Sequence, residues 1–177
     1  VKGAAKGEGL GNKFLANIRE VDALIHVVRC FEDPNVTHVE GSTDPLRDIE
    51  IINTELIMAD LEMIDRRIDK AQKMAKGGDK RYNHEAELFT ALRDYMNEGN
   101  LARTFECSED DAAMIATSDL LTLRKTIYAA NLGENEVNDP ESSRHFTAVR
   151  KLAEQEGSQV LPICAKLEAD IAELDDP

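Results

Sequence analysis

The chain has 177 residues, 42% of them hydrophobic and 32% charged, and a formal net charge of −14. A chain this long suits one domain with a sizeable core, or one domain with an appendage, and so large an acidic excess works against a general affinity for nucleic acid or anionic membranes. The three cysteines, Cys30, Cys107 and Cys164, are far apart and odd in number, which argues against a disulfide framework or a CxxC metal or redox pair and fits a reducing, cytoplasmic compartment; no apolar run approaches the ~20 residues of a membrane span.

The chain begins at Val1, not Met, so its natural start is expected upstream. Residues 1–11 carry Gly3, Gly7, Gly9 and Gly11 and read as a loop with unusual backbone freedom. A short helix is predicted next, with Phe14 and Ile18 on one face. The run Ala23-Leu24-Ile25-His26-Val27-Val28 has the length and composition of a buried parallel strand. A long helix starts at Asp44-Pro45, with Asp44 as N-cap and Pro45 in the first helical position.

Along that helix Ile57, Leu61, Ile64, Ile68, Ala71 and Ala75 are spaced 4, 3, 4, 3, 4, a heptad seam. Lys76-Gly77-Gly78-Asp79 ends it. A second helix over residues 81–97 continues the spacing through Leu88, Leu92 and Tyr95. Two such helices joined by a Gly turn predict an antiparallel coiled-coil arm, projecting roughly 40 Å at about 1.5 Å per residue. Residues 66–81 carry seven basic side chains and two acidic ones, a local +5 in an acidic protein. Positive charge gathered at an arm tip is what contact with RNA phosphates requires, and Arg66, Arg67, Lys70, Lys73, Lys80 and Arg81 are the candidate residues. The structural alternative is a solvated helix surface.

Ser108 is placed to cap a further short helix, with Asp111 three residues on. Residues 126–130 read as a strand, 141–156 as a helix introduced by Pro140 and ended by Gly157, 159–163 as a strand, and 168–174 as the start of a last helix. Strands alternating with helices predict a parallel, doubly wound α/β sheet, interrupted by the arm. The expected divisions are 1–44, 45–115 for the helical insert, and 116–177. A lone His26 in an apolar strand reads as a core residue. His38, His84 and His145 lack partners at metal-ligand spacing, and no catalytic Ser-His or Cys-His arrangement is visible.

The opening VKGAAKGEGLGNKFLANIREVDALIHVVRCFED resembles the segment after the Asp-x-x-Gly motif of Obg-related GTPases, and the continuation through Thr37-His38-Val39 and Asp44-Pro45-Leu46-Arg47-Asp48-Ile49-Glu50 is similar to the YchF-type, Obg-like ATPases. The long helical insert belongs to the same branch. The resemblance covers nearly the whole chain. It implies part of a P-loop NTPase G domain, with switch II in residues 1–11, including Gly3, Gly7 and Gly9. It also implies that Asn131-Leu132-Gly133-Glu134 stands where GTPases carry Asn-Lys-x-Asp. There the Asp carboxylate, which can only accept, takes two hydrogen bonds from guanine. The Asn-x-x-Glu form resembles members that prefer ATP to GTP, and the Asn131 carboxamide can pair with adenine N6 and N7. The Leu132 main chain is a further candidate. Cys164-Ala165-Lys166 resembles the Ser-Ala-Lys motif near the base, with Cys as a departure; Lys125-Thr126 departs from the common Lys-Pro. As structural alternatives, an Asn in a strand-to-helix turn is common, and a Gly-rich loop has no need of a nucleotide.

No GxxxxGK(S/T) occurs in residues 1–177. The resemblance places the phosphate loop, switch I, the Asp-x-x-Gly aspartate and the ligands for Mg2+ before Val1, and a small further domain after Pro177. It implies a ribosome-associated parent protein that binds and slowly hydrolyses ATP, with GTP weaker, in the cytoplasm and without a membrane. The chain alone, lacking the phosphate loop, is expected to be catalytically inactive. Two other readings stand beside this one: an Obg-type GTPase, and a non-enzymatic RNA or ribosome interaction module acting through the arm.

Overall fold

Three parallel strands form the sheet, in the order β1 (Ala23–Arg29), β2 (Lys125–Asn131), β3 (Gln159–Ile163). They belong to a computed structural model that describes residues 11–33 and 42–174. The helices are α1 (Gly11–Arg19), α2 (Pro45–Lys76), α3 (Arg81–Asn97), α4 (Glu109–Ala116), α5 (Arg144–Gln155) and α6 (Ala165–Ala172). The switch II candidates Gly3, Gly7 and Gly9 lie outside the described residues, as does His38.

Two compact units result. One holds the chain through Asp22 together with Ile51–Arg124; the other holds Ala23–Glu50 and the chain from Lys125 onward. These divisions fall elsewhere than 44/45 and 115/116, for reasons visible in the packing. Ile49, at the start of α2, is buried among the residues of the sheet unit. Residues 120–122 are held in the helical unit by Asp60 and by the burial of Leu120.

In the sheet unit the register pairs Ile25 with Ile127 and Ala129 with Leu161. Side chains alternate across the sheet. Val28, Tyr128 and Ala130 point to one face and share a core with Phe146, Val149 and Ala153 of α5. On the other face Ile25, Val27 and Leu161 are 71%, 60% and 55% exposed. β1 was expected to be buried; a parallel strand is buried only when a layer covers each face, and among the described residues one face is covered. The helix expected over 141–156 is preceded by a separate 3-10 turn at Pro140–Ser142, and the last helix begins at Ala165, earlier than its composition suggested.

The helix α2 begins within the sheet unit, and it starts as predicted. Asp44 Oδ1 accepts from the Arg47 amide at 3.1 Å, and Pro45, which has no N–H to leave unsatisfied, takes the first turn. The helix stops at Gly77-Gly78, where Gly78 adopts φ +105°, a conformation that favours glycine. The seam residues Ile57, Ile64 and Ile68 are buried against Leu88, Phe89, Leu92 and Met96 of α3. The same core also takes in Leu101, Ala102, Ile115 and Leu120. The helical hairpin is therefore present, but its seam is not a two-helix coiled coil. α3 buries 88, 89, 92 and 96, a wider stripe than the 88, 92, 95 spacing gave, because it packs on α2 and on the 101–120 segment at once.

Asp60 is fully buried and accepts from the amides of Leu121 and Thr122, both at 2.8 Å, and from the Thr122 hydroxyl at 2.7 Å. Thr122 Oγ1 in turn accepts from the Ala102 amide at 3.2 Å. A buried carboxylate is tolerated when its lone pairs are met in this way.

Candidate functional site

The strands' C-terminal ends bring the predicted base-contacting residues together. Asn131 is the last residue of β2, and Cys164 follows β3 directly. The Leu132 amide donates to the Ile163 carbonyl at 2.8 Å, so the two strands stay paired into their loops. The Asn131 Oδ1 accepts from the Ala165 amide at 2.9 Å, which caps the first turn of α6 from the neighbouring strand. That cap is needed because Cys164, at the N-cap position, makes no side-chain capping bond. Cys164 is buried; a serine hydroxyl there would be a better cap.

This geometry changes what each residue can offer a base. With one lone pair of its oxygen facing the Ala165 N–H, the Asn131 carboxamide still presents Nδ2, a donor, and a second acceptor lone pair. It can meet N7 of a purine, an acceptor on adenine and guanine alike. Its second lone pair remains able to accept from adenine N6, so the pairing expected for a purine's N7 and N6 stands as a proposal. The Leu132 amide is committed to Ile163 and its side chain is buried in the sheet core, leaving the carbonyl as what its main chain can present. Glu134 and Lys166 reach toward each other across the two loops, with Lys166 Nζ 2.6 Å from Glu134 Oε1. Neither the cap nor the ion pair was visible in the sequence, because each joins residues more than 30 positions apart; the motif resemblance supplied only the residues.

Beside this turn a polar pocket is lined by Phe31, Glu32, Gly133, Glu134, Arg144 and His145. His145 and Arg144 hydrogen-bond Glu32 and hold its carboxyl below the usual carboxylate range. Burial pushes the neighbouring Cys30 thiol up to about 12; a thiol so rarely ionised is not a nucleophile at neutral pH. Among the described residues no group of three or more His, Cys, Asp and Glu side chains could hold a metal ion. No helix among them is long and apolar enough to cross a membrane.

The basic residues of the arm separate into two sets. Arg67 is committed: its Nε lies 2.7 Å from Glu85 Oε1, a second nitrogen donates to the Thr117 hydroxyl at 2.8 Å, and its guanidinium lies 4.4 Å over the Phe89 ring. Arg81 is paired with Asp79 at 2.7 Å. Arg66, Lys70, Lys73 and Lys80 are exposed and have no ion-pair partner among the described residues. Arg66 and Lys70 flank a groove that also shows Met63, Tyr82 and Ser118.

A parallel sheet covered by α5, with polar side chains gathered at the strands' C-terminal ends, is an open α/β arrangement whose ligands bind at that end of the strands. No family model matches the chain. It is 46% identical over 175 residues to the "Ribosome-binding ATPase YchF" of Bacillus subtilis and 48% identical over 176 residues to that of Escherichia coli O157:H7, in each case covering 99% of this chain and 48% of the relative. A solved structure entitled "Structure of the Schizosaccharomyces pombe YchF GTPase" superposes with a TM-score of 0.80 at 29% identity, over 99% of this chain and 48% of the other. The chain is similar over nearly all of its own length to these YchF proteins, and it spans about half the length of the curated relatives it matches.

Proposed function

We propose that this chain is the base-recognition part of a cytoplasmic, ribosome-associated ATPase that binds ATP in preference to GTP and hydrolyses it with Mg2+ held outside these residues. The observation that carries the reading is the Asn131 carboxamide. It is fixed by the Ala165 amide at the C-terminal ends of two parallel strands, with its donor end left for a purine. In open α/β sheets ligands bind at that end of the strands. Asn131, the Leu132 carbonyl, Glu134, Ala165 and Lys166 position the base. The switch II glycines Gly3, Gly7 and Gly9 are assigned to sensing the γ-phosphate. The names of the relatives support ribosome binding, and they divide between ATPase and GTPase, so competition of ATP against GTP is the test of nucleotide preference.

Asn131→Asp tests the base contact without dismantling the loop. Aspartate keeps an acceptor for the Ala165 amide and caps a helix as well as asparagine does, but it presents no donor to purine N7. Full-length protein with this change is expected to bind ATP about two- to tenfold more weakly, the scale of one lost hydrogen bond of ~0.5–1.5 kcal/mol, with thermal unfolding unchanged. Equal affinity in the variant would overturn the assignment.

A second reading, that the helical unit contacts RNA, is favoured by the unpaired Arg66 and Lys70. Like charges four apart on a helix repel, and neither side chain has an ion-pair partner among the described residues. Their contact with phosphates predicts binding that weakens steeply with salt.

A further inference from the structure

We infer that the Glu134–Lys166 ion pair opens the site to adenine, with Lys166 acting through the carboxylate it neutralises. The inference rests on the base-site reading above.

The backbone and side-chain N–H groups beside the base do not distinguish adenine from guanine. The donor of Asn131, Nδ2, suits N7 of both. The Ala165 amide is engaged by Asn131, and the Leu132 amide by Ile163. Glu134 and Lys166 are the charged pair that remains at the mouth. Their side chains are 41% and 71% exposed, so the pair faces outward from the two loops.

A bare carboxylate can only accept. Against a purine's pairing edge it is satisfied by guanine, whose N1–H and 2-amino group both donate. It repels adenine, whose N1 presents a lone pair. With Lys166 Nζ at 2.6 Å from Oε1 the same place carries no net charge and shows a donor beside an acceptor. Adenine matches that arrangement through N1 and its 6-amino group. Guanine matches it through O6 and N1–H. The ion pair therefore removes the discrimination against adenine that an unpaired acid would impose. The bond to Glu134 also raises the Lys166 ammonium above its ordinary range, so the pair persists across neutral and mildly alkaline pH.

The test compares ATP and GTP affinities of the full-length protein by competition, for the wild type, Lys166→Met, Lys166→Met with Glu134→Gln, and Asn131→Asp. Lys166→Met is expected to shift the ATP-to-GTP affinity ratio about three- to fivefold toward GTP, the scale of one exposed ion pair. Adding Glu134→Gln removes the unpaired charge and is expected to bring the ratio back. A ratio unmoved by Lys166→Met, or both nucleotides weakening equally, overturns the inference. If Asn131→Asp also binds both nucleotides normally, it is the base site itself that fails. Weakening in Asn131→Asp with an unmoved ratio in Lys166→Met leaves the site standing and removes only the role of the pair.

Discussion

Asp60 carries more of the fold than its residue type suggests. Its carboxylate satisfies two buried amides and one hydroxyl in the segment that leads into β2. Burial raises its carboxyl above the usual range, and the three donors pull it back down. Asp60→Ala leaves those donors facing apolar surroundings and is expected to lower the unfolding free energy by about 3 kcal/mol, read from urea unfolding. His26 has a different signature. Burial depresses its imidazole below the ordinary value of about 6.5, while Asp48 and Glu156 partly restore it. The unfolded chain therefore takes up the proton first. Stability is present above pH 6.5 and is lost as pH falls through and below that value. Thermal midpoints are expected to drop between pH 7 and pH 5, and His26→Gln is expected to flatten that slope; an unchanged slope in the variant would remove His26 as its source. Glu32 and Asp111, both depressed by hydrogen-bonded histidines, lose their contributions at lower pH and so fall outside this window.

At the scale of elements, Arg67 and Arg66 are neighbours in sequence with opposite expected phenotypes. Arg67 ties α2 to α3 and to the end of α4, so Arg67→Ala is expected to lower stability by about 1–3 kcal/mol. Arg66→Glu with Lys70→Glu is expected to leave the unfolding midpoint unchanged and to flatten the salt dependence of ribosome or RNA binding, by roughly 0.7–0.9 in log–log slope for each lost phosphate contact. Binding unaltered by the double charge reversal would remove the groove from the interface. The elements themselves were legible where one physical signal dominated. The helix caps at Asp44 and Ser108, the Gly turn after Lys76 and the strands at 23, 125 and 159 follow from local chemistry. Partners were not legible. Heptad spacing gives the face of α2 that is buried but not what covers it, and Ile115 and Leu120 come from outside the hairpin. Asp111 was read as part of a capping box; its amide does bind Ser108 Oγ at 3.2 Å, but its carboxylate turns to His84 at 2.6 Å. The commitment of Arg67 and Arg81 to Glu85 and Asp79 was likewise hidden in a simple sum of charges.

For the whole molecule, binding a base and transferring a phosphoryl group require different parts. The described residues supply a fixed carboxamide, an ion pair and capped loops at the ends of two strands. Phosphoryl transfer is almost entirely positioning and charge stabilisation around the phosphates. No GxxxxGK(S/T) that would provide it occurs in residues 1–177. Base contacts alone place no group near the γ-phosphate, so they cannot lower the barrier to its transfer. The 177-residue chain purified by itself is therefore expected to show no ATP turnover above background in a phosphate-release assay. Full-length protein should turn over slowly, and Asn131→Asp should raise its KM more than it lowers kcat, because the base contact persists from bound substrate to transition state. Turnover by the isolated chain, surviving removal of contaminating ATPases, would mean that these residues hold phosphates as well as the base. A fall in kcat without a change in KM would mean that Asn131 acts on the chemical step rather than on holding the nucleotide.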